Sequence, residues 1–277
     1  MKSKATNQKL AVDHVPQTTE RPKQAGFDTT FIKGMSVLEL MSQSDRPLGV
    51  TELAKLAQLQ NSNVHRILRT LIKMGYVHRN EQTSRYQLNL KIWEVGARVM
   101  DRNPLRRVSR PFVRRLNEQT KEAAFLALRI GDDMLYIDCV DAMFPLRPTV
   151  RPGARAPMAF TASGRTILAF SPDGDAWARR LVAENKTGRH LDAKTFLAEI
   201  SDVRRNGYAY IRKGWTSGIS TVAAPIITQS AEVVATIGIS IPSERFDERK
   251  LSELSRLVLN AATGISETFV TTIEGQI

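Results

Sequence analysis

The sequence predicts an α+β chain of two domains, a winged helix-turn-helix followed by a larger domain with helices laid against an antiparallel sheet. Three observations lead there. The chain has 277 residues, and domains of roughly 100–200 residues make two the natural count. The net charge of +12 sits wholly in the first part: residues 1–121 carry 22 Lys+Arg against 10 Asp+Glu, while residues 122–277 carry 18 of each. Apolar residues recur at helical spacing early in the chain and fall into β-rich runs later.

Phe31, Met35, Leu38 and Met41 recur at helical spacing over 31–42, so this is a first amphipathic helix. SDRPLG after it is a turn by composition. Thr51 precedes ELAKLAQ and is expected to cap a second helix, whose apolar face is Leu53, Leu56 and Ala57. Glu52 in its first turn suits the positive end of the helix dipole. LQNS is a short break. The third helix, SNVHRILRTLIKMG, sets Val64, Ile67, Leu68, Leu71 and Ile72 on one stripe and stops at Gly75. YVHRN and RYQLNL around the polar turn EQTS read as a hairpin.

Two short helices, a tight break, a longer helix and a hairpin make a winged helix-turn-helix. The major groove of B-DNA is about 12 Å wide and admits one α-helix. The N-terminal residues of that helix meet base edges when a small core holds it rigidly. Here the face opposite the apolar stripe offers Asn61, Ser62, Asn63, His65, Arg66 and Arg69. Asn pairs adenine and Arg pairs guanine, while Ser62 is expected to cap the helix or hold phosphate. Arg79 and Arg85 fall on the hairpin, where a wing meets the backbone or minor groove. With Thr51 and Gln60 at the helix starts, these form the candidate set for contacting a double-stranded operator.

Residues 1–26 are basic and rich in Lys, Gln, Thr and Pro, and are expected to be a disordered arm. Residues 27–89 are assigned to the winged helix-turn-helix, 90–106 to a linker and dimerisation helix, and 107–277 to the second domain. In the linker Ile92, Val95 and Val99 share one side with Trp93 adjoining, and Pro104 ends the run. RRVSRPFVRRL beyond it reads either as a DNA-touching connector or as a dimer helix, with the dimer favoured. AAFLALRI and DMLYIDCV form a hairpin about Gly131 and Asp132. TASGRTILAF is a helix opened by small residues, and a further helix runs from about Asp192 to Arg205. STVAAPII and VVATIGISI are another strand pair, and FDERKLSELSRLVLNAATGISETFV is a final amphipathic helix.

No apolar run approaches the roughly 18 residues of a membrane span. The N-terminus lacks the apolar core of a secretory signal, so a cytoplasmic protein is expected. Cys139 is the only cysteine, which excludes an intramolecular disulfide and a cysteine metal cluster. It lies in the apolar run LYIDCV, where free cysteine is usually inert. His14, His65, His78 and His190 are scattered, and no HExxH spacing occurs. No catalytic residue, cofactor or metal is therefore assigned. A ligand-binding domain with residual enzymatic activity is one rival reading. A nonspecific nucleoid-type DNA-binding protein is the other, and the charge-neutral second domain speaks against it.

PLGVTELAKLAQLQNSNVHRILRTLIKMGYV and RYQLNLKIWEVG resemble the DNA-binding part of the IclR family of bacterial transcriptional regulators. PMAFTASGRTILA, RRNGYAYI, SGISTVAAPI and VATIGISIP resemble that family's GAF-like effector-binding domain, so the likeness runs from about Phe31 to Phe269. It implies homodimers, often dimers of dimers, on palindromic or repeated operators, modulated by a small organic acid or aromatic metabolite. By position, it implies that amides at Ala162 and Ser163 meet the effector carboxylate. A helix N-terminus with small residues is independently an anion site. Thr221 stands in the place of a frequent cysteine, Ser240 matches a pocket serine and Gly238 its neighbour on the strand face. Ile219 and Met158 are expected to line the apolar wall. Three positions depart from the family pattern. Ile211 replaces a common acid, Ala159 a common histidine, and Lys213 falls in a stretch that is usually acidic. A more apolar wall beside an anion-binding turn suggests a carboxylate with an apolar or aromatic body.

Overall fold

The structure is a computed structural model and describes residues 27–144, 150–212 and 214–274. The expected arm at 1–26 and Lys213 lie outside the described residues. The chain divides into two compact units, one ending at Val99 and the other beginning at Met100.

The first unit holds α1 (Thr29–Ser42), α2 (Val50–Ala57), α3 (Asn61–Lys73) and the hairpin of β1 (Val77–Asn80) and β2 (Arg85–Leu88). Asp28 caps α1, its carboxylate accepting from the amides of Thr30 and Phe31. The cap expected from Thr51 is corrected. Helix α2 starts at Val50 after an extended Gly49, and the Glu52 carboxylate reaches back to accept the Gly49 N–H at 2.8 Å. Thr51 is already inside the first turn. Gln60, not Ser62, precedes α3, and neither side chain caps it. Val37, Leu53, Val64 and Leu68 are fully buried where the three helices meet, with Val77 and Tyr86 closing the core from the hairpin. Leu48 pairs with Tyr86 through two backbone hydrogen bonds, at 2.9 and 2.8 Å, which ties the α1–α2 turn to the wing. Phe31, Met35, Leu56 and Ile72, expected on apolar faces, are exposed.

Glu52 is the electrostatic knot of this unit. It receives Arg46 and Arg85 at 2.8 Å each, besides the Gly49 amide. The Arg46 hydrogen bond and the Gly49 amide hold its carboxyl at about 2, below the ordinary 4.5. A carboxyl depressed on folding stabilises the fold above its unfolded value and loses that contribution as pH falls through the folded one. Glu52→Gln should therefore lower the melting temperature of the first unit at pH 7. The difference from wild type should shrink as pH drops from 4.5 towards 2, followed by circular dichroism melts. A pH-independent difference would contradict the assignment.

Helix α4 (Lys91–Arg102) carries the chain from one unit into the other, and no residue of it is buried. Leu90, Trp93, Val95 and Val99 stand exposed along it.

The second unit is a three-layer α/β/α stack. Its antiparallel sheet has the order β5-β4-β3-β8-β7-β6. The strands are β3 (Ala123–Ile130), β4 (Asp133–Val140), β5 (Arg155–Pro157), β6 (Ala209–Ile211), β7 (Ile219–Ile227) and β8 (Val233–Pro242). One face, with Leu126, Ile237, Ile239 and Val222, packs on α5 (Pro104–Thr120) and α9 (Leu251–Glu274). The other, with Phe125, Met134 and Ala223, packs on α6 (Ala162–Phe170), α7 (Gly174–Glu184) and α8 (Ala193–Asn206). The stretch RRVSRPFVRRL, read as a connector or a dimer helix, is helical and belongs to α5, whose buried side packs in the core of this unit. Asn103 caps it, Pro104 takes the first turn, and Leu105, Val113 and Leu116 are buried. Pro111 lies inside the helix without ending it. No helix among the described residues is long and apolar enough to cross a membrane.

Candidate nucleic-acid interface and ligand cavity

Helix α3 separates its two faces cleanly. Val64, Ile67, Leu68 and Leu71 are buried, while Asn61, Ser62, His65, Arg66 and Arg69 are exposed and Asn63 is half-buried. Val64, Ile67, Leu68 and Leu71 recur every three or four residues, so the intervening polar side chains are forced outward. Arg66 and Arg69 make no ion pair among the described residues. Gln60 and Thr51 are exposed at the starts of α3 and α2. The wing behaves differently. Arg85 donates to Glu52 at 2.8 Å and to the Pro47 carbonyl at 3.0 Å, so its guanidinium locks β2 to α2. Arg79 donates to Ser84 at 3.0 Å and lies 6.0 Å from the Tyr86 ring centre. The wing arginines are thus partly committed to folding, whereas among the described residues Arg66 and Arg69 on α3 are not so committed.

The second unit contains a cavity of about 200 Å³ between the sheet and the start of α6. Its floor is a sheet patch fixed by register. Thr221 pairs with Ser240 across β7 and β8, and with Ile211 across β6 and β7. Cross-strand partners share a face, so the two hydroxyls and the Ile211 side chain converge. Among the described residues neither hydroxyl has a hydrogen-bond partner, whereas Thr236 on the same face is spent on the Ala127 carbonyl. Thr161 and Ala162 bring the start of α6 to the rim. The Thr161 hydroxyl accepts the Gly164 amide at 2.9 Å. An α-helix has no internal acceptor for its first amides, so those of Ala162 and Ser163 remain for another partner.

Of the residues expected to meet a ligand, Ala162, Ile219, Thr221 and Ser240 line the cavity. Met158, Ser163 and Gly238 do not. Met158 is fully buried in the core, so its expected place in the wall is corrected. The Ser163 side chain is fully buried too, its hydroxyl unpartnered among the described residues. Gly238 lies two residues from Ser240 on the same sheet face, where a Cβ would come 2.6 Å from Phe125 Cζ and 2.4 Å from the Val222 carbonyl. Its role is to admit the Phe125 ring.

Sequence reasoning missed the aromatic wall of Tyr136, Phe160 and Trp215. Strand alternation contains the signal for Tyr136, two residues from the inward Met134. Phe160 and Trp215 lie outside regular strands and give no periodic signal. Burial pushes the Tyr136 phenol up to about 12, so it remains a neutral donor. Among the described residues Arg155 is the only charged one of the lining. Its register partner Leu135 packs with the α5–α9 core, which places the Arg155 side chain on the opposite face from the cavity. No acidic residue lines the site among the described residues. Burial also pushes the Cys139 thiol up to about 12, which makes it a poor nucleophile.

Comparison with known proteins agrees with both halves. The family model described as "IclR helix-turn-helix domain" matches residues 31–81. The one described as "Bacterial transcriptional regulator IclR C-terminal" matches residues 97–267. The HTH-type transcriptional regulator KdgR of Escherichia coli is 31% identical over 248 residues, spanning 88% of this chain and 94% of that protein. The Pca regulon regulatory protein of Pseudomonas putida is 28% identical, over 86% of this chain and 82% of its own length. Among solved structures, Thermotoga maritima IclR superposes with a TM-score of 0.69 at 26% identity, covering 87% of this chain and 98% of that one. A homologue from Microbacterium hydrocarbonoxydans, crystallised with 4-hydroxybenzoate, has a TM-score of 0.70 at 20% identity over 87% of this chain and 99% of that one.

Proposed function

The chain belongs to the IclR family of bacterial transcriptional regulators, and from that premise we propose how it works: α3 reads an operator, and a small organic acid in the cavity of the second unit changes that reading. The single observation that carries the DNA half is the exposed face of Asn61, Ser62, His65, Arg66 and Arg69, held rigidly by the buried stripe beneath it. Asn63 and the helix-start residues Thr51 and Gln60 border that face. Arg79 reaches the flanking backbone from the wing. Arg85, though engaged by Glu52 through one terminal nitrogen, presents its other two guanidinium nitrogens on the same hairpin. Residues 27–89 form the reading head, 90–106 the connection and 107–277 the sensor. The protein works in the cytoplasm as a homodimer or dimer of dimers, each reading head taking one half-site. Occupied and empty sensors favour different arrangements of the two heads, transmitted along α4. An effector acts only through such a difference in affinity.

The ligand class follows from the cavity. First-turn amides at Ala162 and Ser163 suit a carboxylate, and the Tyr136, Phe160, Trp215 and Ile211 wall suits an aromatic body. The Thr221 and Ser240 hydroxyls suit a ring substituent that accepts or donates. Gly238 on the floor strand and Met158, buried against α6, complete the surroundings of the site. The 4-hydroxybenzoate in the Microbacterium protein has these same parts. In calorimetric titration aromatic acids such as 4-hydroxybenzoate should bind more tightly than glyoxylate-sized acids. Thr221→Val and Ser240→Ala should each weaken the aromatic ligand by about 0.5–1.5 kcal/mol. Tight binding of only the smallest acids would overturn this ligand class.

DNA binding should weaken steeply with salt, with a log–log slope of about −0.9 per phosphate contact. A slope near zero in anisotropy titrations would exclude the basic face as the contact surface.

A further inference from the structure

Arg189 stands between α7 and α8, outside the cavity lining, yet its guanidinium bonds and stacks on residues of that lining. Its guanidinium lies 4.4 Å from the Trp215 ring centre and 5.9 Å from that of Phe160. The same group donates to the Trp215 carbonyl at 3.0 Å and to the Gly214 carbonyl at 3.4 Å. Trp215 in turn donates its amide to the Phe160 carbonyl at 2.9 Å, and the two rings sit 6.2 Å apart. Phe160, Gly214 and Trp215 all line the inner cavity.

On its outer side Arg189 lines a second cavity, of about 600 Å³, with Arg212, Ser217, Ser243 and Glu244. The two cavities share Gly214. A Cβ at Gly214 would come 3.0 Å from the Phe160 carbonyl, so the wall between the cavities is thin and closely fitted. Charged and polar side chains, Arg189, Arg212, Ser217, Ser243 and Glu244, surround the outer cavity, whereas aromatic and aliphatic ones predominate around the inner.

We propose that Arg189 is a positioning residue for ligand binding: it latches the Trp215 wall against Phe160 between the outer vestibule and the inner cavity, and ligands enter when that latch releases. This rests on the reading of the inner cavity as the effector site. The chemistry needs an arginine. A planar guanidinium stacks on a ring and donates in its own plane to carbonyls at once, which a lysine ammonium does not do. Arg189 is exposed, so water competes for every contact it makes and the latch is reversible. Opening the inner cavity then requires moving one ring and one short stretch of backbone, with the sheet floor untouched.

The test has two arms, both on the full chain. In the first, without ligand, acrylamide quenching of Trp215 is isolated by subtracting the matching Trp215→Phe variant. Arg189→Ala should raise Trp215 quenching about twofold or more, and Arg189→Lys should not restore the wild-type value, because stacking and carbonyl donation are lost together. In the second, stopped-flow binding of 4-hydroxybenzoate should show dissociation about fivefold or more faster in Arg189→Ala, as expected for a gate rather than a scaffold. Thermal melts of the apo variants should stay close to wild type, which separates a latch from a folding defect. Wild-type quenching in Arg189→Ala overturns the proposal, and so does raised quenching with wild-type rates. If 4-hydroxybenzoate fails to bind wild type, the ligand class is wrong, and the quenching arm alone decides the latch.

Discussion

Arg66→Ala should weaken binding to the specific operator by about 1–3 kcal/mol per half-site, roughly 5- to 150-fold, if its guanidinium makes a bidentate base contact. Arg66 is exposed on α3, and its side chain takes part in no hydrogen bond or ion pair among the described residues. Removing it leaves no buried group unpaired, so the melting temperature should not move. The loss should concentrate on particular base pairs: substitutions at those positions would cost wild type more than the variant. Arg66→Lys keeps the charge but not the planar fork, and should recover nonspecific affinity without recovering discrimination. Competition anisotropy with operator and random duplexes measures both. An Arg66→Ala protein with unchanged affinity and unchanged base preference would remove Arg66 from the reading face.

Gly164→Ala should be among the most destabilising single methyl additions in the second unit. A Cβ on Gly164 would fall 2.0 Å from the Met158 carbonyl oxygen and 2.5 Å from its Cα. The obstacle is backbone, and Met158 is itself fully buried, so neither side yields easily. Overpacking of this kind costs about 2–4 kcal/mol. For a unit of this size that is on the order of 10 °C in melting temperature. The same displacement would carry the Thr161 cap and the first amides of α6 away from the cavity, so ligand binding should fall with stability. A melt within about 2 °C of wild type would show that α6 does not sit as closely as described.

The first unit was readable because its helices are amphipathic and its punctuation is local. The α3 stripe, the hairpin turn and the stop at Gly75 all follow from neighbouring residues. The misreadings there have a common cause. Caps depend on which side chain reaches an amide, and the Glu52 carboxylate reaching back to Gly49 displaced the expected Thr51 hydroxyl. Arg85 looked like a free wing cation because sequence does not reveal a partner 33 residues away. In the second unit the main strands, α6, α8 and α9 were legible; α5 was read as a helix, but its burial in this unit's core was not. Its arginine content and Pro111 masked the buried spacing of Leu105, Val113 and Leu116. Helix α7 and the short strands β5 and β6 also escaped, since three-residue strands carry no period. Part of the cavity was reached by resemblance, through Ala162, Ile219, Thr221 and Ser240. The aromatic wall was not, because Tyr136, Phe160 and Trp215 come from three separate segments that only the folded sheet brings together.

The central claim is that the basic α3 face recognises a defined sequence and that the second unit controls it. Footprinting the full chain on the DNA flanking its own gene, with and without a bound aromatic acid, tests both at once. Protection of a short palindromic or repeated site is expected, with half-sites about one helical turn or a multiple apart, and a ligand-dependent change in that protection. Uniform coating of the fragment, indifferent to ligand, would contradict it.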